Sequence, residues 1–169
     1  MTSLTSRRAL LTTAALLPVA ACATATTPST STSPTLSLAN IAADTTMFAN
    51  ALAALLPLIP NTSAAVIAQV DQGAQLVASI ATSIASAAST TAVASGKLVI
   101  STVSSIAQAV LGLFPGGGTA VTIANAVLGL LPEFTALLGI SGGVAAPVGV
   151  TPNAAKATLA MLPKSKYLP

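Results

Sequence analysis

Few side chains in this sequence can move a proton, hold a metal or attack a carbonyl. Its 169 residues include no histidine, three carboxylates (Asp44, Asp71 and Glu133) and one cysteine, Cys22. Histidine is the commonest acid–base group, and its absence removes most general acid–base schemes. Asp44 and Asp71 fall on separate helical segments, so each reads as solvating a helix face rather than as half of a catalytic pair. One cysteine and three scattered carboxylates make no zinc or transition-metal site. Ser95-Gly96-Lys97 brings a hydroxyl and an amine close in sequence. A phosphate loop would need glycine at position 91 and Ser or Thr at position 98, where Thr91 and Leu98 stand. The triplet therefore reads as a turn between helices with a solvated lysine. Gly116-Gly117-Gly118 reads as a break without the strand of a dinucleotide loop. No enzyme, cofactor or small-molecule substrate is expected.

Cys22 is different because of what precedes it. Arg7 and Arg8 are followed by Ala9 to Ala21, an uncharged run, which is the plan of an export signal. That run is too short to span a hydrocarbon core, which needs about 20 helical residues. Val19-Ala20-Ala21-Cys22 resembles the lipobox of bacterial lipoproteins. The resemblance implies cleavage before Cys22, a thioether-linked diacylglycerol on its sulfur and a further acyl chain on the new amine. Ser6-Arg7-Arg8 ahead of Ala9-Leu10-Leu11 also looks like a twin-arginine signal. The plainer alternative is an ordinary peptidase site such as Ala21-x-Ala23. Acylation explains why an exported chain keeps one thiol with no disulfide partner, and two acyl chains suffice for stable anchoring. Ala23, standing where an inner-membrane retention aspartate would be, implies the outer membrane in a two-membrane cell. The implied location is periplasm-facing.

Removing residues 1–21 lowers the net charge from +3 to +1, with Lys97, Lys156, Lys164 and Lys166 against Asp44, Asp71 and Glu133. Nucleic acid is therefore not an expected partner. Charged residues make up 5% of the chain, against about 25% in ordinary soluble domains. So bare a surface points to self-association or an envelope protein partner.

The elements that must position these few groups are helical. Residues 22–35 form a Thr/Ser/Pro linker, and residues 36–169 read as a single all-α domain, a small bundle of four to five short Ala/Ser-rich helices. Leu38, Ile41, Thr45, Phe48, Leu52 and Leu55 make one stripe, ending at Pro57. Val66, Val70, Gly73, Val77, Ile80 and Ile84 make a second, after possible caps at Asn61-Thr62-Ser63. Val99, Val103, Ile106, Val110 and Leu113 make a third. Ile123, Val127 and Leu130 make a fourth, capped by Thr119 and stopped by Pro132. A short helix is expected over 133–140 and a last one over 152–162. Residues 50–57, 108–115, 125–132 and 156–163 share an apolar turn closed by proline, read as four helix stops. Ala78, Thr82, Ala85 and Ser89, flanked by Ser79, Ser83 and Ser86, form a small-residue side suited to close helix approach.

Two functions fit. The first is a lipid-anchored cell-envelope protein of structural or binding type, touching the membrane through its lipid. The alternative is a membrane-inserting helical hairpin or pore-forming protein built on residues 98–114 and 119–131. Lys164, Lys166 and Tyr167 read as a frayed basic terminus.

Overall fold

The apolar stripes close on one another in a bundle. A computed structural model describes residues 36–60, 63–141 and 144–169. Five α-helices follow in order: α1 (Leu38–Leu55), α2 (Ala64–Ile84), α3 (Ser89–Leu113), α4 (Thr119–Leu137) and α5 (Pro152–Ala160). A 3₁₀ turn, Leu56–Leu58, extends α1. There is no strand among the described residues. Local chemistry favours the starts of α1, α4 and α5, whereas Ser63 before α2 and Ala88 before α3 make no side-chain cap. Ser37 accepts the Asn40 N–H at the start of α1, and Thr151 accepts the Ala154 N–H at the start of α5, whose first residue is Pro152. Gly118, not Thr119, caps α4, with φ at +116°, a value that favours glycine.

The stripes read from the sequence are the buried faces. Ile41, Phe48, Leu52 and Leu55 of α1 meet Val70, Val77 and Ile84 of α2, Val99, Val103 and Val110 of α3, and Val127, Leu130 and Phe134 of α4 in one core. Phe48 and Phe134 sit edge to face, with ring centroids 5.3 Å apart, a favoured aromatic geometry. α5 packs against α4 and α1.

Three expectations are corrected. α4 does not stop at Pro132 but runs through it to Leu137, absorbing the separate helix expected over 133–140. Proline inside a helix costs about 3 kcal/mol, through its missing N–H and a clash one turn back. Continuing the helix keeps Leu131, Phe134 and Leu138 buried. At about 1.5–3 kcal/mol for each large apolar side chain, that burial outweighs the proline. Ser95-Gly96-Lys97 is not a turn, since α3 begins at Ser89 and carries all three residues. Close approach also occurs elsewhere than predicted. The Ser/Thr side of α2 faces solvent, where the Ser79, Thr82 and Ser86 hydroxyls donate to carbonyls three residues back. Helices approach closely at glycines instead. Gly73 meets Thr102 and Ile106 of α3, Gly96 meets Leu138, and Gly129 meets Val150.

Gly96 and Gly112 test this on one helix. An added Cβ at 96 would overlap Leu138 Cδ1 and lie 2.6 Å from its Cδ2, whereas at 112 nothing lies within 4 Å. Alanine gains up to about 1 kcal/mol over glycine in a helix, and overpacking costs about 1–3 kcal/mol. Gly96→Ala is expected to lower stability by about 1 kcal/mol, and Gly112→Ala to raise it by up to that amount. Urea melts of the two variants should shift in opposite directions.

Candidate functional site

Glu133 is carried to the α5 side of α4 because that helix passes through Pro132. There it meets Lys156 of α5, whose Nζ donates to Glu133 Oε1 at 2.6 Å. The same ammonium lies 3.7 Å from Asp44 Oδ1 of α1. One lysine thus holds carboxylates from two other helices. Lys156 and Glu133 are each about one-third exposed at the side chain, while Asp44 is buried at 3%. The expectation that Asp44 solvates a helix face is overturned.

Asp44 occupies an expensive position. Its Oδ2 has no hydrogen-bond partner among the described residues, and its Oδ1 has only the ion pair. Burial pushes its pKa up, opposed by Lys156 and assisted by the negative charge of Glu133. Lys156 is held above its ordinary value first by its hydrogen bond to Glu133 and further by the charge of Asp44, against some desolvation. The cluster can take up a proton at Asp44 and can tie α1, α4 and α5 together. Its lysine is held protonated by its two carboxylate partners and offers no free amine. No group of three or more potential metal-ligating residues occurs among the described residues.

The other carboxylate has a different partner. Asp71 accepts hydrogen bonds from Gln75 Nε2 at 2.8 Å and from the Tyr167 hydroxyl. Asn50 Oδ1 accepts the Ser165 N–H at 2.7 Å, and Ser165 is buried. The terminus expected to fray is therefore docked along α1 and α2. Ser95 and Lys97 stand two residues apart on α3, a spacing that does not face side chains together, and Lys97 is exposed. Cys22, Arg7 and Arg8 lie outside the described residues, as do segments 1–21 and 22–35. Sequence reasoning missed the Asp44–Lys156–Glu133 cluster. The available signal was Asp44 beside Thr45, on the edge of the apolar stripe of α1.

No family model, no curated protein and no solved structure matches this chain.

The cluster makes stability depend on pH. The folded pKa of Asp44 lies above the unfolded value of 3.8, so the fold holds that proton more tightly than the unfolded chain does. Stability should fall as pH rises from 3.8 through the raised value, and Asp44→Asn should flatten that slope. Breaking a fully buried pair costs about 3–5 kcal/mol. With Lys156 partly exposed, Lys156→Met is expected to cost about 2 kcal/mol at neutral pH, and less in acid where Asp44 is protonated. Urea melts at neutral and acid pH measure both effects. Tyr167→Phe should release the tail for about 1 kcal/mol, seen as faster carboxypeptidase trimming.

Proposed function

We propose that this chain is a lipid-anchored bacterial cell-envelope protein of structural or binding type, held at the membrane through Cys22. The observation that carries the reading is the lone cysteine itself. It stands at the end of an uncharged run that starts after Arg7-Arg8, with Val19-Ala20-Ala21 directly before it. Acylation uses the thiol and supplies the anchor. The helical body supports the reading by closing its own apolar core, which lets it stand beside a membrane on a linker. In this reading the body works as a binding or spacing element, and its partner is a second copy or another envelope protein.

Insertion of the helices is the second reading, and one observation favours it. Leu38–Leu58, Ser89–Leu113 and Thr119–Leu137 are each long and apolar enough to cross a membrane, by length and composition. Against it stands the cost of moving paired charges. Asp44 lies in the first of these helices and Glu133 in the third, and both are engaged by Lys156. Charged side chains at a bilayer centre cost about 2.5–3.5 kcal/mol or more each.

Two measurements separate the readings. Grown with an alkyne fatty acid in a bacterial host, the wild-type chain should incorporate label and Cys22→Ser should not. Equal labelling of both, or none in either, would remove the anchor. With residues 1–22 replaced by an ordinary cleavable signal, the body should enter the soluble fraction after a carbonate wash. Retention until detergent is added would instead make insertion the leading function.

A further inference from the structure

The end of α1 and the C-terminal tail border an open groove of about 530 Å³. Its floor is Ala53, Ala54, Leu56, Pro57 and Pro163, and its rim carries Lys164 and Lys166. No acidic side chain lines it. Neither lysine forms an ion pair among the described residues, although Asp71, bound to the Tyr167 hydroxyl, lies near enough for its charge to act on Lys166. Both ion pairs among the described residues belong to Lys156, and Asp71 is engaged by Tyr167 and Gln75. Two of the three lysines left without a carboxylate partner among the described residues therefore share one rim.

The tail holds them there. Ser165, between them, is buried and bound to Asn50, so Lys164 and Lys166 are both exposed. Lys166 Nζ rests 4.8 Å from the centre of the Tyr167 ring, and the Tyr167 hydroxyl is bound to Asp71. Met161, two residues before Pro163, is 82% exposed.

We propose that this groove seats the body on an anionic lipid surface, with Lys164 and Lys166 among the headgroups and the Leu56–Pro57 and Pro163 floor against the interface. The proposal deepens the lipid-anchor reading and rests on it for placing the chain near a membrane. Charge complementarity selects the occupant. An acidic peptide would bring backbone N–H and C=O groups that need partners, and apart from the two ammonium groups the side chains of this groove are apolar. Headgroup phosphates ask only for cations. The segment between Cys22 and Leu36 permits such a seat. At up to about 3.6 Å per residue, its thirteen residues reach further than α1 is long, since 18 residues rise about 27 Å.

The test uses the body released from the cleavable-signal variant, which carries neither Cys22 nor the Arg7-Arg8 segment, and sedimentation with two kinds of vesicle. One is phosphatidylcholine alone, and the other contains one-third phosphatidylglycerol. The chain should prefer the anionic vesicles, and the preference should fade in high salt. Each lysine near an anionic surface strengthens binding about fivefold, so K164Q/K166Q should bind about 25-fold more weakly. K97Q should bind like its parent. Both altered lysines are exposed, so thermal melts followed by circular dichroism should be unchanged. Equal binding to both vesicles, no effect of K164Q/K166Q, or an equal effect of K97Q would each overturn the proposal. Fatty-acid labelling of the wild-type chain is read separately. No label with lysine-dependent vesicle binding removes the anchor and leaves the groove. Label with lysine-independent binding removes the groove and leaves the anchor.

Discussion

α4 stays helical across Pro132, and the other helices are arranged around what that continuation presents. A stop at Pro132 would leave Phe134 and Leu138 without a defined direction. As it is, three positions beyond the proline serve three neighbours. Glu133 reaches Lys156 of α5, Phe134 meets Phe48 of α1, and Leu138 fills the space over Gly96 of α3. The proline costs one backbone hydrogen bond at the Leu128 carbonyl. Nearby, the Thr135 hydroxyl donates to the Pro132 carbonyl at 2.8 Å, which satisfies that buried side chain within its own turn. The penalty is local, while the burial it permits extends across the bundle, so the helix continues.

The second constraint is the scarcity of charge. A surface this poor in ions must find polarity elsewhere, and it does so with hydroxyls. Ser79, Thr82 and Ser101 each donate to a carbonyl three residues back on their own helix, and Ser86 does so just past the end of α2. Each keeps its oxygen lone pairs for water while leaving its helix face small and uncharged. Such faces hydrate without repelling one another, and a body near zero net charge lacks the self-repulsion that keeps proteins apart. Of the few charges present, Lys156 serves two carboxylates. Of the three remaining lysines, Lys164 and Lys166 stand exposed on the docked tail.

The stripes on α1, α2 and α3 were legible because spacing alone identifies a buried face, as with Val99, Val103, Ile106 and Val110. What was not legible depended on partners distant in sequence. Pro132 and Gly96 carry strong local signals, stop and turn, and both were overridden by tertiary packing. Gly96 sits in the helix because Leu138 needs the space a side chain would take. Asp44 was read as solvated because a carboxylate usually is, and only Lys156, 112 positions later, makes its burial tolerable. Tyr167 and Ser165 belong to the same class, since nothing near them announces Asp71 or Asn50.

These two constraints bear together on how the bundle meets a bilayer. α4 is apolar enough to cross one, and its neighbour α3 presents mainly small hydroxylated residues outward. Entry of that pair would have to take Glu133 away from Lys156, leaving Asp44 and Lys156 as a lone pair 3.7 Å apart. Separating Glu133 from the cluster exposes two costs at once: an ammonium without its short hydrogen bond, and a carboxylate carried toward hydrocarbon. Lys164 and Lys166 face no such penalty, because they are already in water and their tail is already docked. Contact through the lysine rim therefore leaves every internal interaction intact, whereas insertion begins by breaking the one ion cluster that joins α1, α4 and α5. On the proposed reading, the Glu133–Lys156 contact thus opposes entry of α3 and α4 into a bilayer.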